Sequence, residues 1–378
     1  MDTKTKRWWA VCALALATGC GESAETDNAQ TRYEFEEPAE RATSGSYGIL
    51  PLPEGTMVVL GTRIVYVANG TQAVTTIQEA SRFHGSLKSD DNYVYYATQR
   101  ADRARPATSN TLENPNDADG KIFRVSKRPP FKPEPLIDVN ILSGDFSIDG
   151  GHLFVCESPG LNSEGRFIDM PLEDPGKTLR PMLGFNKFCN GAIASGERVY
   201  LLLDRTRATD EKKFVLGAVS RPLPGAQWNV HPAVDDLVTT DVVEKETLYF
   251  ARLLSRKDEL VVVNGADATV YSKAGAKTGA LTAGARLGLA RPFGEAMWVW
   301  SKNSNGGKEG GRICDGGRLY GGSSPAAATE LTQNVCDVAE VVASDKELLF
   351  LETASIFEPA GDKRTVRYRL KALPLPAL

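Results

Sequence analysis

Apolar positions in this chain come in short runs separated by turns, and one short pattern returns seven times. A turn of glycine or charged residues leads to an apolar residue and then an aromatic one. It reads Gly61-Thr62-Arg63-Ile64-Val65-Tyr66, then Asp90-Asp91-Asn92-Tyr93-Val94-Tyr95, then Gly150-Gly151-His152-Leu153-Phe154. It continues as Gly196-Glu197-Arg198-Val199-Tyr200, Lys245-Glu246-Thr247-Leu248-Tyr249, Gly294-Glu295-Ala296-Met297-Trp298 and Asp345-Lys346-Glu347-Leu348-Leu349-Phe350. The seven marker aromatics are 29, 59, 46, 49, 49 and 52 residues apart. β-branched and aromatic runs bounded by turn signals predict strands. A near-constant period predicts one supersecondary unit used many times.

Other strand candidates flank the markers. Before them lie small and apolar stretches: Gly191–Ala194, Leu287–Ala290 and Val341–Ala343. After them lie Ile122–Val125, Phe167–Met170, Phe214–Val219 and Val366–Leu370. A fourth, weaker candidate often follows a proline, as at Pro135-Leu136-Ile137 and Pro181-Met182-Leu183. Four strands about every fifty residues is the period of a β-propeller blade. The marker strand is then second in its blade, and small residues suit the crowded innermost strand. Helical periodicity is absent over any long stretch, and Gln72–Phe83 reads equally well as two short strands. The expected fold is all-β, a propeller of seven four-stranded blades. Val261-Val262-Val263 competes with Tyr249 as the fifth marker, so six or eight blades remain compatible. The last repeat has no room for a fourth strand before Pro374 and Pro376. Tyr47-Gly48-Ile49-Leu50 is expected to supply it and close the ring, which would remove exposed sheet edges.

The chain of 378 residues has 42% hydrophobic and 24% charged residues, ordinary for a folded protein. No apolar run reaches the ~18 residues of a spanning helix. The start differs from the rest. Lys4, Lys6 and Arg7 precede an apolar stretch from Trp8 to Ala17, the layout of an export signal. It ends in Ala17-Thr18-Gly19-Cys20. Small residues directly before a cysteine resemble the lipobox of bacterial lipoproteins, with Ala17 standing where leucine is commoner. The resemblance implies cleavage before Cys20, a diacylglycerol on its sulfur and a place in the bacterial envelope, anchored to the bilayer and facing the periplasm or the exterior. The chain is thus divided into a signal peptide over 1–19, a lipidated Cys20 with an acidic stalk over 20–46, and one propeller domain over 47–378. The repeats as a whole resemble the irregular propellers of exported bacterial lipoproteins. They lack the Trp-Asp dipeptides of a WD-type propeller, and Gly-Gly occurs at one marker only, unlike kelch.

Charge supports this division. The net charge is −4, and losing the signal peptide makes it −6. From Gly21 to Ser46 there are seven acids against Arg32 and Arg41, which reads as a disordered stalk. The remaining body is close to neutral, so nucleic acid is not an expected partner. Among six cysteines, Cys12 leaves with the signal and Cys20 carries the anchor. The other four, Cys156, Cys189, Cys314 and Cys336, predict disulfides in an exported chain, with three connectivities open. Proximity along the chain favours Cys156–Cys189 and Cys314–Cys336.

Residues with catalytic potential are sparse, and no catalytic residue, metal site or cofactor is assigned. A nucleophile elbow is absent. Gly306–Arg312 looks like a phosphate loop but precedes no helix, so it reads as a hairpin loop. Asn114–Gly120 has oxygen ligands of the kind calcium takes, yet Pro115 and the missing closing glutamate break the calcium-loop ladder. His84, His152 and His231 are scattered over three repeats, with His152 just before a marker strand. Trp298 and Trp300 share one strand face, and Trp228 is the third tryptophan of the exported chain. Long polar inserts follow the second strand in four repeats: Gln99–Gly120, Glu157–Gly165, Arg205–Lys213 and Asn303–Arg312. A meander brings them to one end of the ring, where Arg100, Arg103 and Arg105 would form a basic rim suited to an acidic group. The expected function is a non-catalytic binding or scaffold propeller, its partner a protein, peptide or small ligand. The alternative is an extracytoplasmic lyase or metal-dependent lactonase with an axial site.

Overall fold

In the computed structural model the described residues are 29–38, 47–71, 73–80, 82–99, 120–139, 146–157, 165–184, 188–204, 213–223, 226–241, 252–256, 258–264, 267–281, 287–293, 297–302, 317–322, 329–333, 335–344, 347–357 and 364–374. They form seven four-stranded antiparallel sheets, six of them simple meanders in chain order and the seventh taking its fourth strand from the N-terminal part of the chain. The first strands are Tyr47–Leu52, Arg82–Ser89, Phe146–Asp149, Phe188–Ser195, Arg252–Arg256, Leu287–Phe293 and Asp337–Ala343. Each touches the first strand of the next blade, and the seventh touches the first, so these strands ring a central axis. The fold is the expected seven-bladed propeller. Among the described residues the helical content is one three-residue turn, Pro175–Lys177.

Burial follows from this arrangement. Each blade shows alternating faces, and the apolar positions of one blade meet those of the next. Tyr95, Ile122 and Val139 of blade two pack with Leu153, Ile168 and Met170 of blade three. Phe35, Tyr368 and Leu370 of blade seven pack with Val58, Leu60 and Val65 of blade one. Among the described residues such shared cores join six of the seven neighbouring pairs, all but blades five and six.

The first and third strands of a blade point away from one end of the ring, and the second and fourth point toward it. The connections between strands one and two, and three and four, therefore share one end, here the turn end. Those between strands two and three share the other, the loop end. Hydrogen bonds recur at the turn end. In five blades the residue just past strand three donates its N–H to a carbonyl in or beside the turn between strands one and two: Asn69 to Glu54, Lys127 to Asn92, Leu172 to Gly151, Arg221 to Glu197 and Lys273 to Asp258. In blade three that turn is Gly150-Gly151, with φ of 57° and 76°. Positive φ at both central residues is what a tight hairpin turn of this hand requires.

The ring is closed by an N-terminal strand, as expected, but by a different one from Tyr47–Leu50. Its fourth strand in blade seven is Gln30–Pro38, paired antiparallel to Arg364–Pro374. Tyr47–Leu52 is instead the innermost strand of blade one. The stalk reading of 20–46 fails over this strand, and the propeller starts at Gln30. The reason is alternation inside an acid-rich sequence. Phe35 and Glu37 are buried, while Glu34 and Glu36 point outward. Those two meet arginines of the neighbouring strand: Arg369 to Glu34 at 3.0 Å and Arg367 to Glu36 at 2.6 Å. Glu37 is ion-paired with Arg63 of blade one. Glu34 and Glu36, two of the acids that suggested a solvated tether, are half of a cross-strand charge ladder.

Two marker assignments also change. Tyr66 lies on the third strand of blade one, Arg63–Ala68, behind Gly55–Leu60. The second strand of blade five is Glu259–Asn264, which contains Val261-Val262-Val263. Tyr249 lies outside the described residues.

Candidate functional site

The first candidate is the axis. A cavity of about 350 Å³ runs between the innermost strands. Six blades each give it an apolar side chain: Ile49, Leu87, Phe146, Ile193, Leu253 and Val341. Its polar lining is Lys88, Ser147, Ser255 and Glu340. Ser147 Oγ accepts the Ala194 N–H at 3.1 Å, which ties blade three to blade four across the axis wall. Glu340 is buried, and its Oε1 accepts the Val341 N–H at 3.0 Å. Apolar surface makes up the larger share of this wall and polar groups line the rest, so it can meet an apolar group that also carries hydrogen-bonding atoms. Among the described residues no group of three or more His, Cys, Asp and Glu is placed to hold a metal.

The second candidate is the loop end. The strand ends flanking the four long inserts, at Gln99, Glu157, Asp204 and Lys302, all lie there by the meander. The inserts themselves, with Arg100, Arg103 and Arg105, the calcium-like segment before Gly120 and Gly306–Arg312, lie outside the described residues. Beside the strand ends at Gly120, Glu157 and Gly165 is a polar groove of about 450 Å³ between blades two and three, lined by Lys121, Asp138, Glu157, Arg166 and Arg180 among others. Lys121 meets Asp138 at 3.1 Å, and the buried Glu157 meets Arg166 at 2.5 Å and Arg180 at 3.4 Å. Three cations face two carboxylates, so the groove has a positive excess.

The third cluster is at the turn end. His152 opens the second strand of blade three, one layer out from the axis. Its Nδ1 lies 2.6 Å from Asp169 Oδ1. Asp169 is buried, and its other oxygen accepts the Trp228 indole N–H at 2.7 Å. Trp228 stands edge-on to Phe167, with centroids 5.0 Å apart. The histidine singled out in the sequence is thus oriented by a carboxylate, but it does not face the axis. His231 is exposed, and the side chains of His84, Trp298 and Trp300 lie outside the described residues.

No protein-family model matches the chain, and no curated protein matches it in sequence. Solved structures match it in shape. A chain of a mitotic checkpoint complex aligns over 94% of this chain and 97% of its own, at 9% identity and a TM-score of 0.50. The extracellular domain of a hybrid two-component system protein from B. thetaiotaomicron aligns over 89% of this chain at 10% identity and a TM-score of 0.50, and this chain spans 42% of it. BamB from Moraxella catarrhalis aligns over 86% of this chain and 85% of its own, at 10% identity and a TM-score of 0.43. At such identities the likeness concerns the propeller fold alone.

The cysteines complete the picture. Cys156, at the second strand of blade three, is bonded to Cys189, at the first strand of blade four. This is the pairing that proximity favoured. Cys336 is also disulfide-bonded and buried. Cys314 and Cys20 lie outside the described residues. Sequence reasoning missed the axial residues, because nothing in a single strand says which neighbours six other blades supply. It also missed Asp169 as the partner of His152. The cross-strand spacing of 17 residues becomes legible only once the hairpin register is known.

Proposed function

We propose that this chain is an exported, lipid-anchored protein whose propeller is a non-catalytic binding or scaffold module. The observation that carries this reading is the axial cavity, to which six blades each contribute an apolar residue. A wall of that chemistry supports enclosure of an apolar ligand or an apolar side chain of a partner. The positive excess in the groove between blades two and three, next to the insert with Arg100, Arg103 and Arg105, supports a second, acidic contact at the loop end.

The test uses the purified full chain and small molecules extracted from the native envelope. Mass spectrometry of the gel-filtered protein should find a co-eluting apolar compound. Ile193→Trp narrows the cavity and should lose that compound while the protein still melts in one cooperative transition, at a somewhat lower temperature because Ile193 also packs on the core of blades four and five. Uptake unchanged in Ile193→Trp defeats the axial reading. Lipidation has its own check: Cys20→Ser should move the protein to the soluble exported fraction.

The enzyme alternative has one observation behind it, the imidazole of His152 oriented by Asp169. A carboxylate on Nδ1 leaves Nε2 as the atom able to take a proton. On this reading His152→Ala would abolish a turnover that Ile193→Trp spares.

A further inference from the structure

We infer that the lipid anchor holds the turn end of the ring toward the bilayer, so that the loop end faces the aqueous compartment. The inference rests on the lipidation of Cys20 proposed above and adds the direction in which the binding surface points. It comes from the polarity of the closing strand. Gln30–Pro38 is the fourth strand of blade seven and runs toward the loop end, so its N-terminal residue enters at the turn end. Contacts at that entry agree. Arg32 pairs at 2.9 Å with Glu347, the first residue of the second strand of blade seven. Tyr33 Oη donates to the Ala68 carbonyl at 2.7 Å and to that of Thr71, in the turn between the third and fourth strands of blade one. These partners are all turn-end groups.

Chain length then decides the orientation. Ten residue steps separate Cys20 from Gln30. Fully extended they reach roughly 35 Å. The closing strand has nine residues, and a strand of that length rises roughly 30 Å. To set the loop end on the bilayer, the tether must first run back along the whole height of the ring. That leaves roughly 5 Å of reach by the same measure, and only if every residue of the tether is fully extended. With the turn end toward the bilayer the same tether has length to spare. The membrane-facing surface is therefore the set of short turns near blades seven and one. The loop end, where the strands finish at Gln99, Glu157, Asp204 and Lys302, is presented to a soluble partner or ligand, not to lipid.

The test compares two probes on one blade. Glu54, in the turn between the first two strands of blade one, and Glu79, at the loop end of its fourth strand, are both exposed. Full-length lipidated protein carrying Glu54→Cys or Glu79→Cys is labelled with an environment-sensitive fluorophore, against the equally treated parent. It is then reconstituted into vesicles containing brominated lipid. The expected result is quenching at position 54 at least threefold stronger than at position 79. A twenty-residue Gly-Ser spacer inserted after Asn28 should abolish the difference. Co-flotation with vesicles together with equal or stronger quenching at position 79 overturns the orientation and leaves the anchor standing. Failure of the parent to co-float removes the anchor, and the orientation with it.

Discussion

Asp90 shows how much one side chain of a turn can do. Its Oδ1 accepts the N–H groups of Asn92 and Tyr93, both at 2.8 Å, and its Oδ2 accepts the Tyr95 hydroxyl at 2.5 Å. Burial acts to raise the Asp90 pKa, but these hydrogen bonds outweigh it and hold the carboxyl below its ordinary value. Tyr95 moves the other way: burial first, then its bond to Asp90, pushes the phenol above its ordinary value. The signs differ, so the pair bounds a window. A lowered carboxyl contributes stability that is present above about pH 4 and lost as pH falls through the folded value. A raised phenol contributes stability that is present below about pH 10 and lost as pH rises through the folded value. Denaturant midpoints measured from pH 3 to 11 should therefore form a plateau with two falling limbs. Asp90→Asn should flatten the acid limb, and Tyr95→Phe the alkaline one. Unchanged slopes in both variants would contradict this account. Asp90→Ala, which also strips two turn N–H groups of their acceptor, should cost about 1–2 kcal/mol in urea unfolding. The turn itself was legible from Asp90-Asp91-Asn92, because these residues bond their own backbone. Its bond to Tyr95 was not, since that depends on which face of the strand the ring takes.

At the scale of the strand, the closing element separates what sequence can say from what it cannot. The need for a donated fourth strand was readable from the crowded C-terminus. The donor was misplaced because composition was weighed over 26 residues, whereas the strand occupies nine of them and hides its acids in an alternating pattern. A period-2 signal is short, and an average over the whole tether dilutes it. The arginines that neutralise it, Arg367 and Arg369, lie more than three hundred residues away. The first interval of the period was blurred likewise, because Tyr66 sits on the third strand of its blade, whereas Tyr95, Phe154, Tyr200, Trp298 and Phe350 sit on the second. Deletions test the strand directly. Removing residues through Asn28 should leave the melting temperature of the exported body unchanged. Removing residues through Ser44 deletes the strand, uncovers the edge of Arg364–Pro374 and exposes Tyr368 and Leu370. That protein should melt at least 10 °C lower and aggregate on heating, as an unpaired edge recruits other chains. Phe35→Ala, which keeps the backbone pairing, should cost about 3 kcal/mol through the cavity it leaves. The exposed Glu34 and Glu36 pairs should each be worth well under 1 kcal/mol.

Over the whole molecule, stability is shared between neighbours, because no blade owns a complete core. Such an arrangement should unfold as a unit, unlike an open solenoid whose end repeats can fray. The Cys156–Cys189 bridge adds a covalent link to one of these shared cores, where Cys156 and Cys189 pack with Phe154, Phe167 and Leu201. The two cysteines are 33 residues apart, and closing a loop of that length restricts the unfolded chain by about 4 kcal/mol on the chain-entropy estimate. The double variant Cys156→Ala, Cys189→Ala should accordingly lose about 3–5 kcal/mol, a little of it from packing. Where that loss is felt distinguishes a closed ring from independent blades. If the ring is cooperative, probes far from the bridge report the same transition. In a Trp228→Phe background, which silences the tryptophan packed beside the bridge, Trp298 and Trp300 of blade six, by fluorescence, and backbone circular dichroism should shift together to one lower midpoint. The calorimetric and van't Hoff enthalpies should stay equal. If blades three and four instead melt ahead of the rest, two separated transitions will appear, and closure by the N-terminal strand contributes less to the ring than its position implies.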